Sequence, residues 1–229
     1  MLILAIDTST FAGSIALIQD EQIIGEVVFN LGRKHTERLL PELDWLFKRL
    51  SLEPECIDGI SVGIGPGSFT GVRVGLSTAK GLALSLSVPV KGVSSLDALA
   101  WAVRFYPGKI VALLDARKRE VFARFYQGGI DFRPVSEHFV ITPEELVPRI
   151  TQDMLGVGEG FRVYHNFFQG RLNFAGFEFE YPRASIIGRI GMESLLKKES
   201  DTLEKLVPIY LRQSDAELKR KGFENAGDS

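Results

Sequence analysis

From Gly71 to Leu86 the chain carries a helical repeat with almost no side chain on one face. Gly71, Gly75, Ala79 and Ala83 recur every fourth residue, which lines them up along an α-helix. Val72, Leu76, Leu82 and Leu86 flank this stripe, and Val74, Gly81, Leu84 and Ser85 lie opposite it. Only Arg73 and Lys80 are charged, and both fall on one edge. A helix that is apolar nearly all round is covered on more than one side. Glycine inside a helix costs on the order of 1 kcal/mol relative to alanine, so the stripe implies close approach by another backbone. One covering layer is the sheet of the same domain. The other comes from elsewhere in the chain or from a partner protein. The evident intrachain candidate, the preceding helix, already has a sheet-facing stripe of its own, so the expectation is a partner.

The glycine cluster ahead of this helix, "SVGIGPGSFTGVRVG", invites a phosphate-binding reading. A Walker loop requires Lys and Ser or Thr after its last glycine, whereas Gly71 is followed by Val72 and Arg73. The dinucleotide spacing is missed by one residue across Gly65, Gly67 and Gly71, and Pro66 removes a backbone donor. A generic anion site at the helix start stays open. Packing of two backbones is the stronger reading.

The chain has 229 residues, 45% of them hydrophobic, enough for one large domain or two small ones. With 27 basic and 29 acidic residues, its net charge of −2 argues against a protein that holds nucleic acid by itself. The one cysteine, Cys56, excludes an internal disulfide and a multi-cysteine metal cage. The opening "MLILAIDTST" lacks a basic segment and reads as a strand rather than a signal peptide. No apolar run is long enough to span a membrane, and a cytoplasmic location is expected.

"LILAID", "GSIALIQD" and "QIIGEVVFN" read as strands whose short connections, including Asp20–Glu21, require an antiparallel meander. Leu39, Leu43, Leu46, Phe47 and Leu50 then follow helical spacing from Arg38 to Leu50, with Trp45 pointing away and Pro41 in the first turn or at a bend. "IDGISVGIG" is a strand, the segment from Thr70 to Leu86 a helix, and "VPVKGV" a strand. A faint repeat follows. "VALLDARK" echoes "ILAIDTST", each an apolar strand ending in an aspartate, Asp115 and Asp7, and "EVFARFYQ" echoes "SIALIQ". Next come "PVSEHFVIT" as a strand, a short helix capped by Thr142, "MLGVGEG" as the counterpart of "GISVGIG", and a helix from Ser185 to Lys198. The pattern predicts a duplicated α/β protein with one lobe over 1–104, a reduced second lobe over 105–215 and a polar tail over 216–229. Lys219, Arg220 and Lys221 in that tail read as solvated charges.

The segments "LAIDTST", "HTERLLP", "GPGSFTGVRVGLSTAKGLA", "SSLDALA", "LLDARKREVF" and "PIYLR" resemble, in order, the motifs of the TsaB (YeaZ) family. The resemblance implies an actin/hexokinase-like (ASKHA) fold of two β-β-β-α-β-α lobes. It implies a role in making threonylcarbamoyladenosine beside the tRNA anticodon, as the non-catalytic partner of the paralogue TsaD, with a TsaE-like ATPase in the full complex. Older descriptions of the family call it glycoprotease-like. tRNA would be met only through the complex, and a homodimer is expected when the partner is absent.

The resemblance also sets expectations for the chemistry. TsaD-type proteins carry a metal-binding His-x-x-x-His pair where this chain has Ser95 and Leu99, so neither a metal site nor a metalloprotease is expected. His35, His138 and His165 have no ligand partner at helical spacing, and His35 reads as a helix-start hydrogen bonder. Asp7, Thr8, Ser9 and Asp115 occupy the positions that face nucleotide phosphates and magnesium in the superfamily. Glycine is delayed to Gly13 in one turn and replaced by Arg117, Lys118 and Arg119 in the other. These four residues are therefore a vestigial nucleotide site, and no cofactor or catalytic residue is assigned. Self-sufficient ATP hydrolysis and a homodimeric interaction module without a tRNA role are the alternatives. The expected docking face joins the two N-terminal helices through Leu40, Leu43, Trp45, Phe47, Gly71, Arg73, Gly75, Thr78, Ala79 and Leu82. On this reading Gly75→Leu disrupts docking and leaves the monomer folded.

Overall fold

A computed structural model describes residues 1–30 and 35–211, with the side chains of His35 and Thr36 left aside. The polar tail and the expected role of His35 therefore lie outside the described residues. The first sheet has the strand order β3-β2-β1-β4-β5. Its strands are β1 (Leu2–Asp7), β2 (Ala12–Gln19), β3 (Gln22–Asn30), β4 (Gly59–Gly63) and β5 (Val90–Val93). The first three form the expected antiparallel meander, and β4 and β5 run parallel to β1. Short turns permit only antiparallel neighbours, whereas β4 and β5 are each reached through a helix, α1 (His35–Leu50) and α2 (Phe69–Leu86).

The second sheet repeats the plan in reduced form. Strands β6 (Lys109–Arg117), β7 (Glu120–Gln127), β8 (Arg133–Pro134), β9 (Phe139–Ile141), β10 (Leu155–Val157) and β11 (Asn173–Phe174) build it in the order β11-β10-β6-β7-β8, with β9 also on β7. Thus β6 sits centrally between an antiparallel β7 and a parallel β10, as β1 sits between β2 and β4. The echo of "ILAIDTST" in "VALLDARK" is an echo of these two central strands. The expected third strand, "PVSEHFVIT", is split into β8 and β9.

Helices α1 and α2 cover one face of the first sheet, where Leu39, Leu43, Leu46 and Phe47 join Leu4, Ile6, Ile15, Val72 and Leu76 in one core. Pro41 stands inside α1 on the exposed side. The short helices α4 (Pro143–Leu146), α5 (Gly160–Val163) and α6 (His165–Phe168) lie between β9 and β11 in the chain. Leu146, Phe161 and Phe168 pack with Val111, Leu113 and Val121. Thr142 caps α4 through a reciprocal capping box with Glu145.

The two remaining helices change places. Helix α3 (Ser95–Ala102), from the first stretch of sequence, buries Leu96, Leu99 and Ala100 against Ile110, Ala112, Leu114 and Tyr126 of the second sheet. Helix α7 (Ala184–Leu196), from the second stretch, lies on the far face of the first sheet, with Met192 and Leu195 against Ile3 and Ile18. Gly188 and Gly191 let α7 come close, since a Cβ there would run into Ile18 and Ala5 or into Ser61. The spans 1–104 and 105–215 are therefore not self-contained lobes; each sheet takes a helix from the other span. The chain then returns along β5, where Asp201 receives Lys91 Nζ at 3.1 Å and the Gly92 amide at 2.8 Å. Ile209 donates to the Ile64 carbonyl at 2.9 Å.

Candidate functional site

The glycine cluster is a packing device, and what it packs against is the end of β1. A Cβ on Gly63 would overlap Asp7, one on Gly67 the Ser9 carbonyl, and one on Gly71 the Thr8 carbonyl. At Gly75 a Cβ would stand 2.5 Å from Thr8 Oγ1 and 3.7 Å from Ile6 Cγ2. The contact is also hydrogen bonded: Thr8 Oγ1 donates to the Gly71 carbonyl at 2.7 Å and the Ser68 amide to the Ser9 carbonyl at 2.7 Å. The Ser68 hydroxyl caps α2 by accepting from the Gly71 amide at 3.3 Å.

This geometry corrects the expected docking face. Gly71, Gly75 and Ala79 are buried against their own chain, with the turn after β1 supplying the close backbone that the stripe implied. Leu43 and Phe47 belong to the α1–sheet core. Gly75→Leu consequently strikes the monomer's interior rather than a docking surface. Thr78 and Leu82 are half-buried, and Leu82 packs against the core edge. The large apolar side chains that α1 and α2 do expose are Leu40 (58%), Trp45 (53%), Leu84 (71%) and, at the start of α2, Phe69 (38%), with Arg73 exposed beside it. Gly81 belongs to this open side, since a Cβ there would meet nothing within 4 Å.

The strand-end residues Asp7, Thr8 and Ser9 are brought together but shut in. All three are buried. Asp7 accepts from the Ser9 amide at 3.1 Å and from the Ser9 hydroxyl at 3.0 and 3.1 Å on its two oxygens. Burial pushes its carboxyl up to about 7, against the pull of Ser9 and, more weakly, of Ser95. Ser95 Oγ is itself buried without a hydrogen bond of good geometry. Asp115 is half-buried at the end of β6, accepting from the Arg117 amide at 2.8 Å and the Tyr164 hydroxyl at 3.0 Å. Its own burial first, and then the contact with Asp115, push the Tyr164 phenol up to about 12. Near it, burial and then the Asp115 charge raise Glu159 to about 7. The sequence reading missed Glu159 because nothing local marks a glutamate that tertiary packing will dehydrate.

Ser95 and Leu99 are both buried in α3. Among the described residues no group of His, Cys, Asp and Glu side chains is arranged to hold a metal ion. His138 instead joins a polar network across α3, β7 and the segment before β9. Its Nε2 lies 2.8 Å from Ser94 Oγ and 3.3 Å from an Arg124 nitrogen, while Arg124 and Tyr126 each donate to Asp97 Oδ1 at 2.7 Å. A guanidinium can only donate, so Nε2 is an acceptor and the Ser94 hydroxyl points its proton at it. Burial first, and Arg124 second, hold the His138 pKa below its ordinary value. The same cation opposes an imidazolium, so this serine–histidine contact makes a poor nucleophile–base pair.

The chain matches, over residues 22–220, the profile of the family described as TsaD: tRNA N6-adenosine threonylcarbamoyltransferase. It is 34% identical over 227 residues to the tRNA threonylcarbamoyladenosine biosynthesis protein TsaB of Bacillus subtilis (strain 168), covering 96% of this chain and 97% of that protein. The solved structure of YeaZ from Pseudomonas aeruginosa superposes with a TM-score of 0.79 at 30% identity, covering 92% of this chain and 99% of that one. A more remote structure, component A of (R)-2-hydroxyglutaryl-CoA dehydratase from Acidaminococcus fermentans, shares the fold at a TM-score of 0.51 and 10% identity, over 86% of this chain and 99% of that one. Two related mixed sheets exchanging a helix, in an actin-like α/β fold, accompany full-length similarity at this level, and the chain belongs to the TsaB (YeaZ) family of tRNA threonylcarbamoyladenosine biosynthesis proteins.

Proposed function

We propose that this chain is a non-catalytic docking subunit in the formation of threonylcarbamoyladenosine in tRNA, engaging a TsaD-type catalytic paralogue through the exposed ridge of α1 and α2. The observation that carries this reading is the ridge itself. Leu40 and Trp45 on α1 and Leu84 on α2 hold more than half their surface in solvent, and Gly81, three residues before Leu84, leaves the α2 backbone open. An exposed aromatic ring on one helix and a side-chain-poor stretch on the other suit helix-on-helix packing by a partner. A TsaE-like ATPase would join through the assembled complex, and a second copy of the chain would occupy the ridge when the paralogue is absent.

The buried Asp7 supports the absence of catalysis. A carboxyl pressed on Gly63 and raised to about 7 is poorly placed to meet magnesium from solvent, and basic side chains fill the turn after Asp115. The residues at these two strand ends therefore do not fit a nucleotide's phosphates and magnesium, and no step is routed through them. The test is gel filtration of the chain mixed with its TsaD-type paralogue. Trp45→Ala and Leu84→Glu should weaken the complex by about thirtyfold or more, as truncated hot-spot residues do, with the melting temperature of the isolated chain preserved. Unchanged complex formation by both variants would remove the ridge from the docking role, and ATP turnover by the chain alone would remove the non-catalytic reading.

A further inference from the structure

A band of arginines and aromatic rings runs from the start of α2 to the β6–β7 turn, assembled from residues far apart in the chain. At one end Arg73 lies between two rings. Its guanidinium carbon is 3.7 Å from the Phe69 ring centre and 5.7 Å from that of Tyr210, and its Nε donates to the Tyr210 hydroxyl at 2.9 Å. At the other end the Arg117 guanidinium is 5.7 Å from the ring centre of Phe11, within cation–π range. The segments carrying Phe11 and Phe69 are tied together by the Ser68 amide donating to Ser9. The three rings are 38–49% exposed, so each presents a face or edge to solvent.

Beyond Arg117 the band continues into a costly turn. Arg117, Lys118 and Arg119 have left-handed φ angles of 59, 52 and 62°. Arg117 pairs with Glu120, leaving Lys118 and Arg119 as a two-residue turn where asparagine–glycine is the unstrained choice. Arg119 remains 81% exposed even while meeting Glu144 at 3.3 Å. Arg117, Lys118 and Arg119 are all exposed, which sets basic charge on the surface beside the Arg117–Phe11 contact.

We propose that this band contacts the single-stranded loop of an RNA, with Phe11, Phe69 and Tyr210 stacking on unpaired bases and Arg73, Arg117 and the β6–β7 turn meeting the flanking phosphates. Rings interleaved with guanidinium groups suit nucleotides, which present a flat face and an anion at each step. Asp115, Glu120 and Glu144 stand on or beside the turn and limit its local charge, so stacking carries a large share of the affinity. The identity of the RNA as tRNA rests on the proposed function; the chemistry of the band does not.

The experiment measures fluorescence anisotropy of a labelled unmodified tRNA transcript, and of a fully paired RNA duplex, against the full chain alone and in complex with its TsaD-type paralogue, across a salt series. The transcript should bind more tightly than the duplex. Phe11→Leu and Tyr210→Leu should each weaken transcript binding by about tenfold. Arg117→Ala should lower the slope of log affinity against log salt by about 1, and Arg117→Lys should restore that slope. Gel filtration with the paralogue runs in parallel to show that each variant is folded and docks. The inference is overturned if the transcript shows no preference over the duplex, if the aromatic variants bind as wild type does, or if these variants lose the paralogue with RNA binding unchanged. That last outcome would make the band a protein interface. A wild-type chain that fails to bind the paralogue would sink the docking reading alone, since anisotropy on the isolated chain still decides this one.

Discussion

Asp7→Asn should stabilise this protein at neutral and alkaline pH, although it removes a charge from the most sheltered polar turn of the fold. The folded carboxyl titrates at about 7 against 3.8 for the exposed group, with burial as the leading cause. Below 3.8 the group is protonated in both states and no stability is lost. Between 3.8 and 7 the unfolded chain gives up the proton while the folded one keeps it, so stability falls as pH rises and levels off above 7. A shift of roughly 3 units at about 1.36 kcal/mol each sets the loss on the order of 4 kcal/mol. Asparagine is neutral throughout. Its carbonyl oxygen can accept from the Ser9 amide as Oδ1 does now, and its amide can donate to the Ser9 hydroxyl near Oδ2. The assay is thermal unfolding of both proteins from pH 4 to 8.5. The variant should gain progressively through this window and melt roughly 10 °C higher above pH 7. Parallel pH profiles, or a variant less stable than wild type at pH 8, would refute the claim that a dehydrated carboxylate strains this turn.

Glu159→Gln should act in the same direction with a smaller effect. Burial and Asp115 raise Glu159 to about 7 from 4.5, so wild-type stability is lost as pH rises from 4.5 through 7, and the variant's melting curve should be flatter there. Gly75→Ala should lower stability by about 1–3 kcal/mol in urea unfolding because its methyl enters the space of Thr8 Oγ1. In a double-mutant cycle with Thr8→Ala, which removes Oγ1, the penalty of Gly75→Ala should shrink; simple additivity would exclude the clash. Thr142→Ala removes the cap of α4 and should lower stability by about 1 kcal/mol, with faster amide exchange at Glu145.

The residues of the proposed docking ridge and of the strand-end turn were unevenly legible. Trp45 was readable as outward because α1 is long and strongly periodic, and its apolar stripe leaves Trp45 on the other side. The small stripe of α2 announced close contact but not with what, because glycine at every fourth residue looks the same whether the neighbour is Thr8 or a partner's backbone. Of the arginine–aromatic band only the Phe69–Arg73 pair, four residues apart on α2, is local; residues 11, 117 and 210 join it only by folding.

By itself the sequence determined the antiparallel meander, the two N-terminal helices, the correspondence between β1 and its echo β6 in the second sheet and the family, because strand and helix periods, turn lengths and motif order are local properties. Only the tertiary structure decided that α3 and α7 trade sheets, that the glycine loop clasps the end of β1, and that Asp7 is dehydrated. Each of these depends on which buried surface meets which across long sequence separations. That choice is made by the packing of the whole core, and no window of the chain contains it.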